Sequence, residues 1–189
     1  LLRRLEGLAP KSKRVRFLFE DEARFGLMTD LRACWALLPM RPRVRQTIIR
    51  NSTDALLAVH PPSGRFHAFL CRGLDRFVMA EFLRQTKNCF RGDFCVVFCD
   101  GAGWHTAGDL KVPNEMHMEI LPPYSPELNP VESVWDYMRD HDFGNRIFAD
   151  LEKVEDQLSL SFRALRAAPQ VMRSITLFNW IKAATLTRR

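Results

Sequence analysis

The sequence predicts an α/β domain, a mixed five-stranded sheet flanked by helices with a helical extension at its C-terminal end. Three observations lead there. "DALLAVHPPSGRFHAFLC" joins two apolar runs through Pro61, Pro62, Ser63 and Gly64, the pattern of a hairpin and hence of an antiparallel pair. "DFCVVFCD" is an unbroken apolar run of strand length, as expected of a strand covered on both faces. From Asp150 onward Leu151, Val154, Leu158, Phe162 and Leu165 recur at helical spacing. Hairpins supply antiparallel neighbours and helical crossovers supply parallel ones, so the sheet is mixed.

In chain order, "RVRFLFEDEARFGL" alternates β-branched and aromatic residues with charged ones, a strand leading toward a second short strand or turn. Val15, Phe17, Phe19 and Asp21 share one of its faces, and Arg16, Leu18, Glu20 and Glu22 share the other. The hairpin supplies the next two strands. Asp75 then caps a helix running to about Arg84, with Phe77, Val78 and Phe82 as its buried stripe. The apolar run ending at Asp100 is the fourth strand. After it come a glycine-rich turn, a short helix near Thr106 to Leu110, and a strand from Met116 to Leu121. A proline-rich loop leads into a helix from Pro130 to about Arg139. The C-terminal third is helical, with a last helix around Ser174 to Thr185.

Composition bounds the function. Apolar residues at 47% and charged residues at 26% are those of an ordinary globular protein. No apolar run approaches the roughly 18 residues of a membrane span, and "LLRRLEGLAPKSKR" is too charged for a signal peptide. An intracellular, cytoplasmic protein with no membrane partner is expected. Cys34, Cys71, Cys89, Cys95 and Cys99 contain no CxxC pair and are expected as small apolar core residues in a reducing compartment. The net charge of +6 is clustered: six basic residues against the single acid Glu6 lie between Arg3 and Arg16, and Arg41, Arg43 and Arg45 alternate. Such clusters suit a polyanion and make Lys11, Lys13, Arg14, Arg41, Arg43 and Arg45 candidate nucleic-acid contacts, the plainer alternative being a solvated basic surface. Trp35 precedes the arginines and fits either core packing or nucleic-acid contact.

Two aspartates end apolar stripes. Asp21 continues Phe17 and Phe19, and Asp100 closes Phe94 to Cys99. A buried carboxylate is unfavourable unless something neutralises it, although a strand-end aspartate can also cap the following turn. Glu132 stands at the start of the helix that follows "LPPYSPELNP". It can close a capping box onto Asn129, or it can be aimed at the aspartates. Hard divalent cations prefer oxygen ligands, and two aspartates and a glutamate without a His/Cys cluster fit Mg²⁺ or Mn²⁺ better than zinc. Glu20 and Glu22 alternate away from Asp21, which assigns them to solvent or to supporting contacts. Trp135 and Met138, with Val131 and Val134, read as the anchor of the Glu132 helix.

"FEDEARFG", "VVFCDGAGWH" and "LPPYSPELNPVESVW", in this order, resemble the catalytic domain of mariner-like DDE transposases of the bacterial insertion-sequence branch, over roughly Arg14 to Arg139. The resemblance implies a ribonuclease-H-like fold with Asp21, Asp100 and Glu132 as catalytic triad and metal ligands. Asp21 is then shared by two Mg²⁺ or Mn²⁺ ions, with Asp100 and Glu132 each completing one site. It implies phosphodiester hydrolysis at transposon ends, strand transfer to target DNA, and a homodimer in the DNA complex. His105 matches a histidine that the family often places after its second aspartate, and Glu22 matches an acidic position of the first motif, so both are auxiliary candidates. Gly101 departs from the family's usual asparagine, and the interval from Asp100 to Glu132 is slightly shorter than in familiar members. The start at Leu1 and the linker-like basic residues 1–13 lead to the expectation of a helix-turn-helix DNA-binding region upstream of a catalytic domain over 14–189. Two other readings stay open: a ribonuclease-H-like nuclease without strand transfer, and a domesticated, non-catalytic DNA-binding domain.

Overall fold

The computed structural model describes residues 4, 5, 7–103, 105 and 108–186, with side chains as far as residue 183. Five strands form one sheet: β1 (Val15–Gly26), β2 (Ser52–His60), β3 (Arg65–Cys71), β4 (Phe94–Cys99) and β5 (Met116–Ile120), in the order β3-β2-β1-β4-β5. β1 is a single long strand with no break. It runs antiparallel to β2 and parallel to β4. β3 completes the hairpin with β2, and β5 lies parallel to β4 on the other edge. The helices are α1 (Arg76–Cys89), α2 (Val131–Met138), α3 (Leu151–Ala167), α4 (Pro169–Thr176) and α5 (Asn179–Leu186).

Strand alternation sends side chains to two cores. On one face Leu18, Leu56, Ala58, Cys95 and Val97 pack against Met79, Phe82 and Leu83 of α1. On the other, Phe17, Phe19, Leu57, Val96 and Phe98 pack against Val131, Val134, Trp135 and Met138 of α2 and Val154, Leu158 and Phe162 of α3. α2 therefore lies on the same face as the stripe that ends in Asp21. A single π turn, Arg139–Phe143, continues α2 and brings Phe143 onto Phe25, ring centroids 4.7 Å apart.

Several expectations are corrected. Asp75 does cap α1, accepting from the amides of Phe77 and Val78, but the helix continues to Cys89. Its buried stripe is Met79, Phe82, Leu83 and Thr86, the i, i+3, i+4, i+7 positions that face the sheet. Phe77 falls on the opposite side and is 68% exposed under the Arg76 guanidinium. The segment 27–51 between β1 and β2 holds no helix or strand, and Arg41, Arg43 and Arg45 are all exposed on it. Trp35 is fully exposed rather than packed. Cys95 and Cys99 are core residues, whereas Cys34 and Cys89 are exposed and Cys71 is half-buried. Of the short helix expected near Thr106 to Leu110, Thr106 and Ala107 lie outside the described residues, and Gly108 and Asp109 form a turn. The last helix is two, α4 and α5, separated at Leu177 and Phe178. Near the N-terminus Leu5 is buried in the core and Lys13 pairs with Glu115. Among the described residues no helix is long and apolar enough to cross a membrane.

The two aromatic residues of α1 separate the expected stripe from the observed one. Phe82→Ala should lower unfolding free energy by about 3–5 kcal/mol, the usual loss for a buried phenylalanine, while Phe77→Ala should change it by less than about 0.5 kcal/mol. Urea denaturation of the two variants measures both.

Candidate active site

The parallel ladder of β1 with β4 ends at the pair Phe19 and Phe98. Two residues beyond each partner stand Asp21 and Asp100, so equal register delivers both carboxylates to neighbouring positions at the end of the ladder. Asp21 remains paired with Leu57 of β2 and is 9% exposed. Asp100 has left the sheet. Its side chain is open to solvent, and Oδ1 accepts from the amide of Ala102 at 2.9 Å, so the turn-capping role expected of a strand-end aspartate is also met.

The proline-rich loop fixes where α2 begins. Leu121 donates its amide to the carbonyl of Cys99 at 2.8 Å, which ties the start of the loop to the end of β4. At the loop's end the Asn129 side chain makes two bonds: Oδ1 accepts from the amide of Val131 at 3.2 Å, and Nδ2 donates to the carbonyl of Glu20 at 2.8 Å. The Asn129 amide is taken by the carbonyl of Pro126 at 2.9 Å, so the capping-box bond from Glu132 is replaced. Glu132 is exposed on the first turn, one turn before Trp135 and on the same side of the helix. The Trp135 indole Nε1 donates to Asp21 Oδ2 at 2.8 Å, and Glu132 therefore projects toward the same aspartate.

Asp21, Asp100 and Glu132 line one cleft of about 470 Å³, walled by Gly101, Ala102, Asn129 and the loop from Leu121 to Pro126. Among the described residues its lining holds three carboxylates and no lysine or arginine. Asp21 registers the imbalance: burial first, then the charge of Glu132 and of Glu20, push its carboxyl up to about 8, while the Trp135 bond draws it down. A hard-oxygen donor set short of positive charge fits a divalent cation. Tyr124 stands on the rim, fully exposed and held at φ 56°.

The even-numbered acids belong to the other face. Glu20 is fully buried, so of the two roles expected for it the supporting contact holds and the solvent-facing one does not; Glu22 is half-buried. His105 lies against both, Nε2 at 3.0 Å from Glu20 Oε2 and 3.3 Å from Glu22 Oε1. Its Nδ1 is 2.9 Å from Asp100 Oδ1 and 3.0 Å from the Asp100 carbonyl. Burial disfavours the imidazolium, but the bond to Glu20 and the charges of Glu20, Glu22 and Asp100 outweigh it and raise His105 to about 9. Burial likewise raises Glu20, with His105 pulling against it. His105 is thus the cation that joins Asp100 to the acids behind β1. Among the described residues, the donor sets that converge within 4.8 Å are Glu22, Asp100 and His105, and Glu20, Cys99 and His105; the three cleft carboxylates are more widely spread.

The expected nucleic-acid contacts lie apart from this cleft. Arg41, Arg43 and Arg45 are on the 27–51 segment, and Lys11 and Arg14 are exposed ahead of β1. A wider cleft of about 550 Å³ adjoins the far end of β1 and includes Arg24, Arg50, Arg139 and Arg146, none of which stands out in the sequence as a cluster. Asn129 and Trp135 also escape a reading by chemistry. The one available signal was that a buried indole N–H needs an acceptor.

A family model described as DDE superfamily endonuclease matches residues 16–155. The protein y4pE/y4sA of Sinorhizobium fredii is 37% identical over 124 residues, 65% of this chain and 92% of that protein. Among solved structures, a pre-cleavage Mos1 transpososome and the Mos1 mariner paired end complex with Mn each match with a TM-score of 0.59 at 17% identity, over 93% of this chain. The Mos1 paired end complex with Mg gives a TM-score of 0.53 at 18% identity. The chain spans 58–59% of the length of these Mos1 chains. The likeness establishes the ribonuclease-H-like fold.

Asp21 and His105, like Glu20 raised above their ordinary values, give the metal-free chain a defined pH dependence. Asp21 loses its proton near 3.8 when unfolded and near 8 when folded, so its contribution to stability is full below about 3.8 and lost as pH rises to about 8. His105 behaves likewise between 6.5 and about 9. In chelator the thermal midpoint should therefore fall from about pH 7 to about pH 9, above the range in which His60 and His67, both lowered by burial to about 4, oppose the trend. Asp21→Asn should flatten the lower part of that slope and melt higher than the wild type near pH 8. Differential scanning calorimetry across the pH series checks both outcomes.

Proposed function

Because the chain belongs to the DDE superfamily of endonucleases, we propose that it is the catalytic domain of a DNA transposase, which hydrolyses a phosphodiester at a transposon end and transfers the freed 3′-hydroxyl to target DNA. The observation that carries this reading is the meeting of Asp21, Asp100 and Glu132, delivered by three separate elements, in one cleft that no lysine or arginine lines among the described residues. These side chains would hold two Mg²⁺ or Mn²⁺ ions, with Asp21 shared. When bound, such ions supply activation of the attacking oxygen and stabilisation of the departing 3′-oxygen. Mos1, on the same fold, has been captured with Mn and with Mg.

The protein's part is positioning. Trp135 holds one oxygen of Asp21, His105 holds Asp100 from behind, and Asn129 fixes the helix start that presents Glu132. The exposed ring of Tyr124 on the cleft rim offers a contact for a base or sugar next to the scissile phosphate. The exposed Arg41, Arg43 and Arg45 and the cleft that holds Arg24, Arg50, Arg139 and Arg146 would draw the DNA backbone to the domain. A homodimer is supported by the 27–51 segment, where Trp35, Leu37, Leu38 and Ile48 are each more than 80% exposed. Apolar side chains gathered in one loop in this way suit burial against a second protein surface.

The test uses the protein that carries this domain, with its own element's terminal DNA and Mn²⁺. Asp100→Asn and Glu132→Gln should each reduce cleavage and joining about a hundredfold or more with the thermal midpoint preserved, whereas Glu127→Gln, on the exposed turn before α2, should not. Nicked products without joined ones would identify a nuclease that stops at hydrolysis. Near-normal cleavage by Glu132→Gln would remove Glu132 from the site.

A further inference from the structure

The indole of Trp135 is 1% exposed and wedged between two rings, Phe25 at 5.9 Å and Phe162 at 6.5 Å, both nearly edge-on. Packing of that kind fixes the ring and with it the direction of the N–H bond. The acceptor at 2.8 Å is Oδ2 of Asp21, a carboxylate that also lines the cleft. Rotation about the last side-chain bond of an aspartate is soft, so an untethered carboxylate would present either oxygen over a broad range of angles. The tether removes that freedom. It also joins β1 to α2, and Glu132 lies one turn before Trp135 on the same side of the helix. Asn129 makes the matching tie at the start of the helix, through the Glu20 carbonyl.

Resting on the reading of Asp21 as a metal ligand, we propose that Trp135 is a positioning residue. Its N–H turns one oxygen of Asp21 toward the core and the other into the cleft, and so sets the spacing of Asp21 and Glu132 as a pair of ligands. The core of the domain thereby orients the site directly, through one hydrogen bond from a residue that touches neither metal nor DNA.

Trp135→Phe keeps a ring in the core and removes the donor. Binding of Mn²⁺ to the chain, followed by the electron paramagnetic resonance of the free ion, should weaken about tenfold or more, as when partners of metal ligands are removed. Val134→Ala, a core truncation on the same helix that removes no bond to Asp21, should stay within about twofold even though it lowers the thermal midpoint. Asp21→Asn separates the two levels. If it leaves Mn²⁺ binding unchanged, the assignment of Asp21 as a ligand fails. If it weakens binding while folded Trp135→Phe does not, the assignment stands and the positioning role is overturned. A measurement on the wild-type chain covers the case in which Trp135→Phe does not fold. During a Mg²⁺ titration one indole ¹⁵N–¹H resonance should move to saturation, and Asp21→Asn should abolish the movement; binding of Mg²⁺ with no indole response overturns the proposal.

Discussion

The parallel pairing of β1 with β4 is the constraint on which the rest of the site depends. It sets a common level for two strands that are adjacent in space but far apart in the chain, and it ends two residues short of an aspartate on each. A register slip of one residue would turn Asp21 to the α1 face and put Glu20 or Glu22 in the cleft. The register is held by the side chains beneath it. Phe19 and Phe98 stack with centroids 5.1 Å apart, and Phe17 and Phe98 lie 5.8 Å apart. The hydrophobic effect thus positions the charged groups, since the apolar stripes of both strands must meet on one face for Asp21 and Asp100 to arrive together.

Charge is distributed between the faces of the sheet by the same alternation. Odd-numbered Asp21 faces α2 and Glu132, and even-numbered Glu20 and Glu22 face His105. The acids behind the strand have His105 as a resident partner, shared with Asp100, whereas among the described residues the cleft in front is lined by three carboxylates and by no lysine or arginine. Three negative groups gathered in a partly buried cleft are unfavourable by themselves, and a divalent cation turns that repulsion into binding free energy. The raised carboxyl of Asp21 and the fit to a divalent ion are two expressions of one arrangement.

Patterning made the sheet legible. The turn residues of the hairpin, the unbroken run of β4 and the helical spacing from Leu151 each reflect a local rule that the tertiary structure obeys, and Asp21 and Asp100 were visible because each breaks an apolar stripe at its end. What was hidden depends on contacts between distant residues. Whether Phe77 or Leu83 faces the sheet is set by how α1 lies across β3 and its neighbours, which its own sequence does not state. Glu20 looks solvent-facing in an alternating strand; it is buried because His105, from a turn after β4, covers that end of the face. Asn129 fits the start of a helix, yet its amide group also reaches a carbonyl 109 positions away. The segment 27–51 carries many apolar residues and adopts neither helix nor strand, so its composition misleads any reading that equates apolar with buried.

The ties at Asn129 and Trp135 span 109 and 114 positions of chain. During synthesis the strands from β1 to β4 can pair before these residues leave the ribosome, but the third carboxylate has no fixed place until α2 has docked. Contacts of such long range close late, because chain entropy opposes them until nearer contacts have formed. A nascent or truncated chain that ends before Trp135 therefore lacks the donor that holds Oδ2 of Asp21, and Glu132 has no docked helix to carry it. Assembly of the three-carboxylate cleft is thus tied to the completeness of the fold rather than to any one strand pairing.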